Sequence, residues 1–223
     1  MATVMQVYEI LLDYYGERPH QPRRKPMVEL IMTMLSHRTT ARNERVAFQQ
    51  LWDRFGSWEA IRDAPVEEVT EAISPANYPG QKAPRIQEVL RIITEERGEP
   101  NIDFLGDLPL DEALKWLTDL PGVGIKTASL VMLFCFKKPV LPVDTHVHRI
   151  SQRLGFVDEN TSAEKAHELL LEELPHDPYV LYNFHVAMLR HGRTLCTWSN
   201  PKCIPCPLKF TCKWYAENRA GKE

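Results

Sequence analysis

Long apolar runs are missing from this chain. The longest, "ASLVMLFCF" (128–136), falls far short of the about 20 residues that cross a bilayer, so no membrane-spanning helix is expected. Also missing at the start is a basic segment followed by an apolar one, the mark of a secretory signal. Instead "MATVMQVYEILLDYYGERPH" spaces Val4, Val7, Tyr8, Leu11, Leu12 and Tyr15 as one face of an amphipathic helix. The expectation is a soluble, cytoplasmic protein.

Strand-like alternation of apolar and polar residues and internal repeats are both lacking. An excess of one charge is absent too: 27 basic against 30 acidic side chains give a net charge of -3, so nothing global advertises a polyanionic partner. Locally, "RPHQPRRK" (18–25) and the stretch from Arg190 to Lys213 are basic, while 158–174 is acidic. Such runs ordinarily form solvated faces, but they leave room for a basic patch on an acidic protein.

What is present is helical periodicity, punctuated by prolines such as Pro65, Pro109, Pro121 and Pro178. The spacing predicts helices over 3–15, 27–36, 41–54, 57–63, 66–73, 81–97, 111–118, 125–136, 144–154, 162–173 and 178–191. An all-α fold follows. Beyond about residue 192 the periodicity fails, a loop rich in Cys and Pro takes over, and "AENRAGKE" reads as a frayed tail.

In "LPGVGIKTAS" (120–129), Pro121 and Gly122 suit a tight turn, and Gly122 and Gly124 leave space for a second backbone to approach. The first amides of a helix starting at Gly124 or Ile125 form an anion site, suited to a DNA phosphate. The motif is not a P-loop, because Ile125 and Leu120 stand where that pattern needs glycine. It is not a dinucleotide fingerprint either, since Thr127 replaces the third glycine and no strand precedes. Lys126 therefore stands at the wrong end of a helix dipole for a cation. It reads either as a phosphate contact or as an amine nucleophile. A lysine acting as an amine near neutral pH needs its pKa lowered by about three units, about 4 kcal/mol. A helix N-terminus supplies about 0.3–1 kcal/mol of that, and burial or another cation must supply the rest. In "LPVDTHVHRI", Asp144 is placed to cap the next helix, and a capping carboxylate is also a fixed, ionised partner for a lysine or a developing sugar cation.

Downstream, "CTWSNPKCIPCPLKFTC" sets Cys196, Cys203, Cys206 and Cys212 in the spacing C-x6-C-x2-C-x5-C. Four thiolates in one short loop can enclose a metal centre. Zinc and disulfides are the alternatives, with zinc disfavoured by the single C-x2-C hook and disulfides by an intracellular setting. Cys135, within "VMLFCF", reads as an inert buried thiol.

"LPGVGIKTAS" followed by "VDTHVHRISQRLG" resembles the helix-hairpin-helix and Gly/Pro…Asp signature of the endonuclease III family of DNA glycosylases. The likeness extends through "MVELIMTMLSHRTTARNERVAFQQLWDRFGS", "YPGQKAPRIQEVLRIITEERG" and the cysteine loop. The resemblance implies a six-helix barrel domain with the hairpin over 26–138. It also implies a second domain, 1–25 with 139–223, carrying a 4Fe-4S cluster on the four cysteines, with duplex DNA across the cleft between them. It further implies a monomeric glycosylase and abasic-site lyase acting on oxidised pyrimidines, with Lys126 attacking C1′ of a flipped nucleotide and Asp144 assisting. Candidate DNA contacts are Gly122, Val123, Gly124, Thr127, His37, Arg38, Tyr78, His146 and Arg193.

Two places depart from the family pattern. "LSHRTTAR" puts Arg38 and Ala41 where a glutamine and an aspartate are usual, and a guanidinium favours guanine acceptors and phosphates. "ANYPGQKAP" puts Tyr78 and Pro79 near the position of an aliphatic wedge. His37, His146 and His148 fall near the implied cleft, as helix-end or phosphate contacts.

Overall fold

The computed structural model describes residues 2–22 and 24–218. Among them are twelve α-helices, two 3-10 turns and no strand, the all-α class expected from the periodicity. The contact pattern divides the chain into two compact units. One comprises Pro22–Phe136 and the other the two chain ends, up to Gln21 and from Lys137 onward.

The unit made from the middle of the chain holds α2 (Pro26–Ser36), α3 (Ala41–Phe55), α4 (Trp58–Asp63), α5 (Val66–Ala72), α6 (Pro79–Arg97), α7 (Leu110–Asp119) and α8 (Ile125–Phe136). In α8 every residue from Thr127 to Phe134 is buried, as expected of a helix that is apolar all round. It packs on α2, whose Leu30, Ile31 and Leu35 are fully buried, and on α7 through Ala113 and Leu117. The chain thus buries its most apolar segment inside this unit, and the hairpin that opens α8 is held by that core.

In the other unit, α1 (Val4–Tyr15) packs on α11 (Pro178–Thr194), and α11 and α10 (Ala163–Glu172) pack on α9 (Thr145–Leu154). Val7, Leu11, Ile150, Phe184 and Met188 form its interior. Thr3 opens α1 with a reciprocal capping box to Gln6.

Three local differences from the expected boundaries have physical causes. α6 begins at Pro79 rather than 81, because "PG" reads as a breaker while proline is tolerated in the first helical turn. α11 continues to Thr194, where the Thr194 hydroxyl bonds back to the Arg190 carbonyl. A short α12 (Lys213–Asn218) follows the cysteine loop, held by buried Tyr215, and takes in the first residues of the segment read as a tail. The remainder of that tail, 219–223, lies outside the described residues.

Candidate active site

Pro121 and Gly122 make the turn between α7 and α8. Gly122 adopts φ 79, which favours glycine, and a Cβ there would lie 3.1 Å from Cδ of Arg85, which would have to shift to make room. A Cβ on exposed Gly124 would meet nothing within 4 Å, which leaves that side of the hairpin open to an approaching group. Thr127 and Ala128 both donate their amides to the Gly124 carbonyl, at 2.9 and 3.0 Å, so the helix closes on Gly124. By helix geometry the amides of Gly124 and Ile125 have no intrahelical acceptor. Lys126 lies half-buried on this first turn. Val123 and Thr127, expected as DNA contacts, are buried, and their amides donate to the carbonyls of Leu120 and Gly124, so neither is presented to a ligand.

Thr127 instead braces the neighbouring loop: its hydroxyl is 3.1 Å from Nε2 of His37. Burial pushes the His37 pKa down to about 4, assisted by the cations Lys126, Lys82 and Arg85, so the ring is neutral. Lys82, itself buried on α6, donates to the carbonyls of Leu35 (2.7 Å) and His37 (2.8 Å). Arg38 and Tyr78 both hold left-handed backbone, φ 53 and 58, which is uncommon outside glycine. Asn77 joins them by donating its amide to the Arg38 carbonyl. The side chains of Arg38 and Tyr78 are exposed, the tyrosine by 52%. Two departures from the family pattern, read separately in the sequence, thus belong to one bonded pair of loops.

Asp144 lies in the other unit, at the N-cap of α9. Its Oδ1 accepts from the amides of His146 and Val147, both at 2.8 Å. His146 packs against Gly192, where an added Cβ would fall 2.7 Å from the His146 side chain. Its Nδ1 is 3.1 Å from the Arg149 guanidinium, and burial lowers its pKa. His148 binds the Thr161 carbonyl, and Arg193 is exposed at the end of α11.

Cys196, Cys203, Cys206 and Cys212 all line one small cavity of about 30 Å³, with His191 and Leu208 among its walls. None forms a disulfide. Arg153 donates to Cys196 Sγ (3.1 Å) and to the carbonyls of Thr197 and Trp198 (2.7 Å each), and Arg149 donates to the Cys196 carbonyl (2.7 Å). Burial pushes the Cys206 thiol up to about 12, and the other three thiols add to the shift. Among the described residues no three His, Cys, Asp or Glu side chains converge to hold one metal ion.

Three structural groups escaped the sequence reading: Lys82, Asn77 and a pair of buried histidines described below. Lys82 left a trace, since it precedes Ala83 and Ile86 on the apolar face of α6.

A buried helix, entered through a Pro-Gly turn and carrying a lysine on its first turn, defines a helix-hairpin-helix protein of the all-α class. Residues 31–176 match the family model "HhH-GPD superfamily base excision DNA repair protein", and the chain belongs to that family. It is similar to "Endonuclease III" of Thermotoga maritima, 39% identical over 88% of this chain and 87% of that protein. It is also 34% identical to "DNA glycosylase/AP lyase ROS1" of Arabidopsis thaliana, over 71% of this chain but 12% of that much longer one. Among solved structures, an endonuclease III trapped as a covalent intermediate with DNA superposes with a TM-score of 0.81 at 27% identity, covering 97% of this chain and 99% of the other.

Proposed function

We propose that this chain is a base-excision repair enzyme, a DNA glycosylase with abasic-site lyase activity, that removes oxidised pyrimidines from duplex DNA. The observation that carries the reading is Lys126 on the first turn of a rigidly packed helix, behind a glycine hairpin open on one side. Similarity to an endonuclease III caught in covalent linkage to DNA supports it.

In this reading the hairpin amides at Gly124 and Ile125 donate to a backbone phosphate. The damaged nucleotide leaves the stack. The Nζ lone pair of Lys126 attacks C1′, the C1′–N bond breaks, and its electron pair departs with the base. Loss of a proton from nitrogen and opening of the sugar ring give a Schiff base between Nζ and C1′. Removal of a C2′ proton then expels the 3′ phosphate by β-elimination and cuts the strand. Asp144 stabilises the developing sugar cation and exchanges protons with the lysine. Arg38 and Tyr78, projecting from their joined loops, contact the bases around the vacated position. His37 and Thr127 brace the loop, Val123 packs beneath the hairpin, and His146 and Arg193 lie toward the phosphates. We assign a cytoplasmic, monomeric enzyme.

The four thiols fit a 4Fe-4S cluster. They surround a cavity rather than meeting at one point, whereas zinc needs four ligands at about 2.3 Å from a single centre. Buried thiols that raise one another's pKa ionise together only around a cationic centre. Such a cluster would cross-link the loop and supply a redox-capable centre, and Arg149 and Arg153 hold the carbonyls of Cys196 and Thr197 in that loop.

Borohydride trapping on a duplex with one oxidised pyrimidine tests the core of the proposal. A covalent adduct is expected, and Lys126→Ala should abolish both adduct and strand cleavage. Base release by folded wild-type protein without any adduct would point to water activated by Asp144 instead.

A further inference from the structure

The peptide that joins Pro142 to Val143 delivers the chain to Asp144. Both residues are buried, and the segment belongs to neither helix nor strand. Its carbonyl and amide therefore need partners from elsewhere, since a buried unpaired peptide group is costly. Two histidines from different helices provide them. Nδ1 of His185, on α11, lies 2.9 Å from the Pro142 carbonyl oxygen. The Val143 amide donates to Nε2 of His167, on α10, at 3.3 Å. One peptide plane is thus gripped at both polar ends, by a donor on one side and an acceptor on the other.

The partners fix the chemistry of both rings. Nε2 of His167 must carry a lone pair, so its proton is on Nδ1. His185 must be protonated on Nδ1. The rings are 7% and 2% exposed, so solvent offers little competition for these contacts. Nδ1 of His167 is buried without a well-formed hydrogen bond, the Leu141 carbonyl being the backbone group that interacts with the ring. The other charged or titratable groups facing that ring are His185 and Glu164.

We infer that His167 and His185 are positioning residues for Asp144: by clamping the Pro142–Val143 peptide they set where its carboxylate stands at the head of α9. The inference rests on the reading of Asp144 as the partner of Lys126. The carboxylate is tethered on its far side by the amides of His146 and Val147. The clamp fixes the near side, where the chain enters. An apolar side chain at 167 would leave the Val143 amide buried without its acceptor, and the chain entering α9 would shift to recover one. Misplacement by about 1 Å costs on the order of a hundredfold in rate.

The test compares single-turnover strand cleavage with DNA binding in the full-length, cluster-loaded protein. His167→Leu should slow cleavage by about 10- to 100-fold while leaving the dissociation constant for abasic-site DNA within about threefold. His167→Gln restores an acceptor and should recover most of the rate. Asp144→Asn is run alongside. If Asp144→Asn cleaves normally, the reading of Asp144 fails. If Asp144→Asn is inactive while folded His167→Leu cleaves at the wild-type rate, the clamp alone is overturned. Should His167→Leu not fold, nitrogen NMR of labelled histidines in the wild-type protein decides. A neutral Nδ1–H tautomer at His167 supports the clamp, and a proton on Nε2 overturns it.

Discussion

Gly122 is where one residue decides whether the hairpin forms. Its φ of 79 is costly for any side chain, and a Cβ would press on Arg85. Gly122→Ala should destabilise the protein by about 1–2 kcal/mol in denaturant titration, with an unchanged slope. Gly124→Ala, where a Cβ meets nothing, should fold normally and weaken DNA binding instead. His167 makes a pH prediction at the same scale. Burial lowers its pKa from the ordinary 6.5 to about 4. A depressed histidine contributes stability that is whole above about 6.5, where neither folded nor unfolded chain holds the proton. That stability is lost as pH falls toward 4, because the unfolded chain takes up the proton first. The loss approaches about 3 kcal/mol, with His37 titrating in the same direction. Melting temperatures should drop between pH 6.5 and 4, and less steeply in His167→Gln.

Among the elements, the join between α6 and α2 bears most directly on the site. Lys82 reaches from one helix to the last carbonyls of another, and the loop that follows carries His37 and Arg38. Burial pushes the lysine pKa down to about 8, so near neutral pH it is still an ammonium and both bonds are charge-assisted. Lys82→Met should cost about 3 kcal/mol in equilibrium unfolding, since it leaves two buried carbonyls without their donor. This device was hidden in the sequence because its partners lie 47 and 45 positions away. The helices themselves were legible from their periodicity, and at Asp144 from its cap as well; in the structure Thr40 and Ser57 also accept amides of the turns they open. α12 was not legible, since six residues beside a cysteine loop carry too little period to read.

For the whole molecule, two compact units are drawn from one chain, and the unit of chain ends includes a cysteine loop with little regular structure of its own. If the four cysteines hold an iron–sulfur cluster, the isolated protein should contain iron and acid-labile sulfide and absorb broadly in the visible. Cys203→Ser should lose the colour and lower the melting temperature, whereas Cys135→Ser, far from the loop in sequence, should keep the colour. The sequence by itself determined what local chemistry can specify: the helix pattern, the Pro-Gly turn before Lys126, the cap at Asp144 and the spacing of the four cysteines. Each of these depends on neighbours within a few residues, so the order of side chains is enough to read it. The tertiary structure alone decided which distant groups serve them. The His37 bond to Thr127, 90 positions away, joins segments that only folding brings together. The same holds for the Asn77 tie to Arg38 and the two histidines on the Pro142–Val143 peptide. Buried polar groups must find partners wherever packing leaves them, and that requirement is written in space rather than along the chain.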